Sequence, residues 1–213
     1  MTFSTIHQVR DLNKAKGFHW FSPDTLRFFR SHYGQTVYGG RYFVSSEQFS
    51  DDAERLYTIR EVNLETGAID TVGQFQAFTR ASTARREARW LGRLAEVADA
   101  GTAHGHAAGT WATDGNTTDE QYRAILEAIA ECEFEVPSWL SGEWAGESIP
   151  ELLGDLDGLP DWQRDAILET FETAATLAYV AEVERSARYH VEQAGERADF
   201  LTCERLGLTG RQS

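Results

Sequence analysis

Charge divides this chain into two halves of different character. Residues 1–100 carry 13 Lys and Arg against 12 Asp and Glu, whereas residues 101–213 carry 7 against 22. The formal net charge of −14 therefore comes from the second half. A chain of 213 residues is long enough for two domains of roughly 100 residues each. The split predicts two domains with different surfaces, of which only the acidic one projects a long-range field.

The first half, residues 1–100, has the pattern of a small α+β domain. A helix is predicted from Ser4 to Lys16, closed by Gly17, and a second from Ser22-Pro23-Asp24 to about Gly34. Strand-like runs follow at residues 35–38, 41–45, 56–63 and 68–75. Gly67 predicts a hairpin between the last two runs, and Thr58, Arg60 and Val62 share one face of the first of them. A helix from Ser82 or Thr83 to about Ala100 completes an antiparallel sheet covered on one face by helices.

The second half reads as a linker followed by an all-α acidic domain. Residues 101–117 are rich in Gly, Ala and Thr and are predicted to be a flexible linker. Residues 118–213 predict helices over 119–131 and 148–153, a long helix from Pro160-Asp161 to about Ala194, and a last one near Phe200 to Leu206. The alanine-rich stripe of the long helix is too long for one small domain to cover, so a homodimer through it is one expected outcome.

Several function classes find no support in the chain. No apolar run approaches the ~20 residues of a membrane span, and the N-terminus lacks a signal-peptide pattern, so a cytoplasmic protein is expected. His104 and His106 form the only close histidine pair, and they fall in the predicted linker without a third ligand. No glycine pattern matches a nucleotide-phosphate loop. We therefore expect no metal, no cofactor and no catalytic residue.

An acidic run in the second half is the first candidate binding surface. Carboxylates recur every two to four residues and are interleaved with tryptophans. Acids with this spacing can imitate the phosphates of a duplex, while the aromatic rings supply contact area. The predicted partner-binding residues are Glu143, Trp144, Glu147, Glu151, Asp155, Asp157, Asp161 and Asp165. The alternative is that these are ordinary acids of helix first turns, which explains Glu151 and Asp161 well and the others poorly.

An arginine cluster after the sheet is the second candidate. Arg85, Arg86, Arg89 and Arg93 lie on the predicted helix, and three of them recur every four residues. Such a stripe is typical of contact with a phosphate backbone. The alternatives are a solvated face, or a surface that docks onto the acidic domain.

Three runs in the first half are distinctive: GFHWFSPDTLRFF (17–29), YFVSSEQF (42–49) and YTIREVNLETGAIDTVGQFQAF (57–78). They resemble a family of small proteins encoded by bacteriophages, plasmids and other mobile elements. The resemblance covers the first ~80 residues. It implies that the gene is carried by a mobile element, and it implies no catalytic residues.

Together these features predict a non-enzymatic mobile-element accessory protein. Its expected partner is a host protein with a basic nucleic-acid-binding surface, occupied in the manner of a DNA mimic that inhibits restriction or CRISPR-type defence. If phage-encoded, it would act in the host cell cytoplasm. The alternative is a nucleic-acid-binding module that uses the arginine stripe, with the acidic half as a regulatory cover.

Overall fold

The computed structural model describes residues 3–26, 29–31, 36–113, 117–148, 153–154 and 156–205. Along the chain the elements are α1 (Ile6–Ala15), α2 (Pro23–Leu26), β1 (Phe29–Ser31), β2 (Tyr42–Glu47), β3 (Leu56–Val62), β4 (Ile69–Val72), α3 (Ala81–Ala112), α4 (Asp119–Ala130), a 3₁₀ turn (Ser138–Leu140), α5 (Gly142–Ser148) and α6 (Asp161–Arg205). The predicted α+β class is confirmed. The chain forms two compact units, Met1–Glu96 and Val97–Ser213, here called unit 1 and unit 2.

Unit 1 is built on an antiparallel sheet with strand order β1-β2-β3-β4. In the β3–β4 turn the Asn63 carboxamide oxygen accepts the backbone N–H groups of Glu65 at 3.0 Å and Thr66 at 2.9 Å. Gly67 adopts a φ of +73°, a conformation that favours glycine. The predicted hairpin is confirmed.

Both faces of this sheet are covered. One face contributes Phe43 and Val62 to a core with α1, which comprises Phe3, Ile6, Val9, Val37, Phe43 and Val62. The other face packs on α3 in a core of Val44, Ile59, Ala84 and Ala88. We expected helices to cover only one face of the sheet, and this is wrong. Residues 43–47 of β2 are all buried, so neither face of this strand is open to water.

The second predicted helix is much shorter than expected. It ends at Leu26, and Phe29–Ser31 is a strand that pairs with β2, placing Phe29 opposite Glu47. Pairing with an existing strand satisfies these backbone groups, which outweighs a weak local helix preference. Residues 27–28 and 32–35 of the prediction lie outside the described part of the chain.

The linker predicted over residues 101–117 is wrong for residues 101–112, because they continue α3. Residues 114–116 lie outside the described part of the chain. Gly101, Gly105 and Gly109 recur every four residues and meet α6. A Cβ at Gly105 would lie 2.1 Å from the carbonyl oxygen of Ala175, and one at Gly101 would lie 2.6 Å from that of Phe171. Glycine is therefore used here for close helix packing and not for flexibility.

Unit 2 packs its other helices on α6. The predicted helix α4 is confirmed, with Thr118 and Gln121 forming a reciprocal cap at its start. The long helix is longer than predicted, since α6 continues through Arg205 and includes the start of the expected last helix. Its 45 residues span about 68 Å. The predicted helix over 148–153 falls largely outside the described residues.

Within the described residues, no helix is both long enough and apolar enough to cross a bilayer.

Candidate functional site

An open groove beside α5 and α6 gathers carboxylates in unit 2. It encloses about 710 Å³ and is lined by Ser141, Glu143, Asp165, Leu168, Glu169, Glu172, Thr173, Thr176 and Leu177. Four of these side chains are acidic, and none of these nine described residues is basic. We call this feature the acidic groove.

Close packing of α5 on α6 creates the acidic groove. A Cβ at Gly142 would lie 2.2 Å from the carbonyl oxygen of Leu168, so only glycine permits this approach. The Gly142 backbone N–H donates to a carboxylate oxygen of Glu172 at 3.2 Å. Glu143 follows in the first turn of α5. The Glu172 carboxylate is thereby held at the junction, with Glu143 exposed beside it.

The long helix supplies the rest of the charge. Asp165, Glu169 and Glu172 are separated by four and three residues, which places them on one side of a helix. Of the predicted partner-binding residues, Glu143 and Asp165 meet in the groove. Glu169 and Glu172 were missed, although the helical spacing after Asp165 could have identified them.

Of the other predicted acidic-run residues, Asp157 and Asp161 are described and do not belong to the described lining of the groove. Asp161, in the first turn of α6, pairs with Arg164 at 3.4 Å. Asp157 is exposed in a turn. Trp144 and Glu147 belong to α5, and Glu151 and Asp155 lie outside the described residues. Carboxylates that are near one another in the sequence therefore do not all lie on the same surface.

Apolar surface accompanies the charge. Leu177 lines the acidic groove with 67% of its surface exposed, and Leu168 lies beside it. Trp162, in the first turn of α6, is also exposed. Trp139 is instead half-buried, with its ring centroid 6.3 Å from that of Tyr179, and so serves the core of unit 2. The groove thus offers both ionic and apolar contacts.

The histidine pair of the predicted linker lies in the α3–α6 seam. Glu182 is buried there and accepts hydrogen bonds from Arg185, with Nε at 3.2 Å, and from the Thr110 hydroxyl at 3.4 Å. His106 Nδ1 lies 3.5 Å from the same carboxylate. These contacts, led by the Arg185 hydrogen bond, lower the pKa of Glu182. Burial lowers the pKa of His104, whose ring lies 5.6 Å from that of Phe171.

Nothing in this seam points to a metal. Among the described residues, no group of three or more His, Cys, Asp or Glu side chains is arranged to hold a metal ion. The seam residues have packing and hydrogen-bonding roles.

A buried polar network in unit 1 escaped the sequence reasoning. The Glu47 and Arg60 side chains are 0% and 8% exposed, and their closest charged atoms are 3.3 Å apart. Glu47 also accepts from the hydroxyls of Ser45 and Thr58, the latter at 2.9 Å. Arg60 donates to the Ser45 hydroxyl at 2.9 Å. Burial lowers the pKa of Arg60, and Glu47 opposes that change.

This network joins side chains of β2 and β3. The Arg60 guanidinium also lies 5.8 Å from the Trp20 ring centroid and 5.4 Å from that of Phe75. Hydrogen bonds and two aromatic rings thus satisfy the Arg60 charge within the fold.

The arginine stripe is narrower than predicted. Arg85, Arg86 and Arg89 are exposed on α3, whereas Arg93 is half-buried. The Arg89 guanidinium lies 5.8 Å from the ring centroid of Tyr38.

Comparison with known proteins covers only part of the chain. Residues 5–89 match the model of a family of unknown function (DUF7447). This is 85 of 213 residues, all of them within unit 1. No curated protein and no solved structure matches the chain. The family description assigns no chemistry to unit 1, and the matched residues do not include any of unit 2.

Proposed function

We propose that this chain is a non-enzymatic binding protein that receives a basic protein surface in its acidic groove. The observation that carries the proposal is the convergence of Glu143, Asp165, Glu169 and Glu172 on one groove. Residues 97–213 hold 23 Asp and Glu against 7 Lys and Arg, a net of −16. A field of this sign attracts cationic surfaces and speeds their association.

The partner in this proposal is a protein that normally binds nucleic acid. Its basic groups would meet carboxylates in place of phosphates, while Leu168 and Leu177 supply apolar contact. The three α6 carboxylates are about 5 Å apart along the helix axis, against ~3.4 Å per phosphate on one DNA strand. The groove is thus a sparser row of charge than DNA, and its apolar residues must contribute to affinity.

The proposed biological setting follows the resemblance of the first ~80 residues to mobile-element proteins. In that setting the partner is a host-defence protein of the restriction or CRISPR type. A DNA-mimic inhibitor of such a protein has to compete directly with its nucleic acid.

Affinity capture tests this proposal. The chain is immobilised and exposed to a lysate of the proposed host cell, and bound proteins are eluted first with duplex DNA and then with salt. We expect DNA to release a nucleic-acid-binding protein, and capture to fall when Asp165→Asn and Glu169→Gln are combined. Retention of the same proteins by that double variant, or no release by DNA, would contradict the proposal.

One observation favours a second candidate function, nucleic-acid binding by unit 1. Arg85, Arg86 and Arg89 are exposed together on α3, and residues 1–96 carry 13 Lys and Arg against 11 Asp and Glu. Replacing these three arginines by glutamine should then abolish binding of a single-stranded oligonucleotide and flatten its salt dependence. Equal binding by the triple variant would eliminate this function.

A further inference from the structure

Unit 1 contains a pocket whose charge is opposite to that of the whole chain. It lies between α1 and the turn that follows it, and it has a volume of about 480 Å³. Known small-molecule sites occupy roughly 300–1,000 Å³. We call this cavity the α1 pocket.

One wall of the α1 pocket is fixed by the way α1 ends. Gly17 adopts a φ of +82°, and its N–H donates to the carbonyl oxygen of Lys14 at 3.1 Å. The Phe18 N–H donates to the carbonyl oxygen of Asn13 at 2.9 Å. These two bonds form a Schellman motif, which turns the chain back along the helix. The buried Asn13 side chain ties the same turn to the carbonyl oxygen of Gly67 at 2.8 Å.

The opposite wall is also held by hydrogen bonds. The carbonyl oxygen of His19 accepts the Ser22 N–H at 2.9 Å and the Thr25 hydroxyl at 3.2 Å. The Ser22 hydroxyl accepts the Thr25 N–H at 3.3 Å. The backbone around the pocket is therefore held by hydrogen bonds before any ligand arrives, and binding would have to order only the side chains of the lining.

Three basic side chains and one acidic side chain line the α1 pocket. They are Arg10, Lys14 and His19, with Asp11. Asp11 accepts from Arg10 Nε at 3.2 Å and from a terminal nitrogen at 3.1 Å, which engages two of the five guanidinium N–H groups. In a chain with a net charge of −14, this lining is a local excess of donors suited to an anion.

Aromatic surface lies beside these donors. Phe18 is 42% exposed although phenylalanine is usually buried, and Phe21 forms a further part of the lining. Phe21 is held edge-on to Trp20 with ring centroids 4.7 Å apart. Such ring faces favour a flat apolar group over a branched or fully polar one.

We propose that the α1 pocket binds an aryl monophosphate, a planar ring that carries one phosphate group. Arg10, Lys14 and His19 contact the phosphate oxygens, and Phe18 packs against the ring. Phosphate is preferred to carboxylate because Arg10 and Lys14 both line the pocket, and a phosphate monoester offers three oxygens and nearly two negative charges. This site is independent of the acidic groove, which belongs to unit 2.

Isothermal titration of the full chain with phenyl phosphate tests this inference, with inorganic phosphate and phenol as the two half-ligands. We expect saturable binding of phenyl phosphate and at least about tenfold weaker binding of either half. Adenosine 5′-monophosphate is the third probe. In this probe a ribose separates the ring from the phosphate, so weaker binding than that of phenyl phosphate supports an aryl monophosphate, and tighter binding would contradict it.

The two lysines of the chain provide a matched control. Lys14 lines the α1 pocket, whereas Lys16 is an exposed residue two positions later that does not. Lys14→Gln should weaken phenyl phosphate about fivefold or more, and Lys16→Gln less than about twofold. Phe18→Ala should weaken phenyl phosphate but leave inorganic phosphate unchanged. Equal losses for the two lysine variants, or no saturable binding of phenyl phosphate, would overturn the inference.

Discussion

At the scale of single residues, the buried ion pair of Glu47 and Arg60 could be predicted only in part from the sequence. Thr58 and Arg60 were correctly placed on one face of their strand. Their partner Glu47 was not identified, because the pair depends on the β2–β3 register that sets Ser45 opposite Thr58. Register follows from the packing of the whole sheet, and one slipped residue would turn Glu47 to the other face.

The first residue-scale prediction concerns this ion pair. Glu47→Gln keeps the shape of the side chain but leaves the Arg60 charge buried without a counter-charge. We expect a loss of about 3–5 kcal/mol in the free energy of unfolding, measured by urea denaturation. Combining it with Arg60→Met removes the stranded charge and should recover part of the loss. A double variant that is less stable than Glu47→Gln alone would show that the charge is not the cause.

The second residue-scale prediction is a pH dependence at Glu182. Its folded-state pKa is lowered, first by the Arg185 hydrogen bond. The contribution to stability is therefore complete above the unfolded-state value of 4.5 and is lost as the pH falls through the lower folded-state pKa. Denaturation between pH 7 and pH 3 should show a steeper acid loss for the native chain than for Glu182→Gln. Glu192→Gln, exposed on the same helix, should retain the native slope.

At the scale of elements, helix starts and the hairpin turn were predictable and the role of glycine was not. Thr118 caps α4 and Gly67 closes its hairpin as their local chemistry requires. A glycine-rich composition over residues 101–112 is compatible with a flexible linker and equally with a tightly packed helix. Their spacing of four residues was the available clue, since it places them on one helical stripe.

Two glycine substitutions in the helices of unit 2 should have opposite effects. Gly105→Ala would place a methyl group 2.1 Å from the carbonyl oxygen of Ala175, which forces α3 and α6 apart. We expect a loss of about 1–3 kcal/mol or more. At Gly195, in α6, a Cβ would meet nothing within 4 Å, so Gly195→Ala should gain about 0.5–1 kcal/mol through helix propensity. Thermal denaturation followed by circular dichroism measures both changes, and a stabilising Gly105→Ala would contradict the packing described.

At the scale of the whole molecule, the change in charge and composition lies close to the boundary between the two units. Unit 1 ends at Glu96, inside α3, four residues before the predicted end of the first domain at residue 100. The acidic face was partly predictable: Glu143 and Asp165 were named, and the helical spacing after Asp165 could have added Glu169 and Glu172. That these residues share a groove with Glu143 depends on which side of α6 packs on α5. A homodimer through α6 stays a prediction, as does the mobile-element origin.

The position of the boundary can be tested with two fragments. Residues 97–213 retain the part of α3 that packs on α6, whereas residues 118–213 lose it and expose Phe171 and Ala175. We expect the longer fragment to unfold cooperatively on heating and the shorter one to lose its sharp transition. Identical transitions for both would mean that α3 contributes nothing to unit 2.

The acidic groove is tested most directly by fluorescence anisotropy with a labelled nona-arginine peptide. The variant combining Asp165→Asn with Glu169→Gln removes two charges from the groove, and the matched variant combining Glu192→Gln with Glu196→Gln removes two from a later, exposed part of α6. We expect about a fivefold or greater loss of affinity for the first and less than about twofold for the second, with binding by the native chain weakening between about 0.05 and 0.3 M NaCl. Equal losses for the two variants, or binding indifferent to salt, would contradict recognition by the groove.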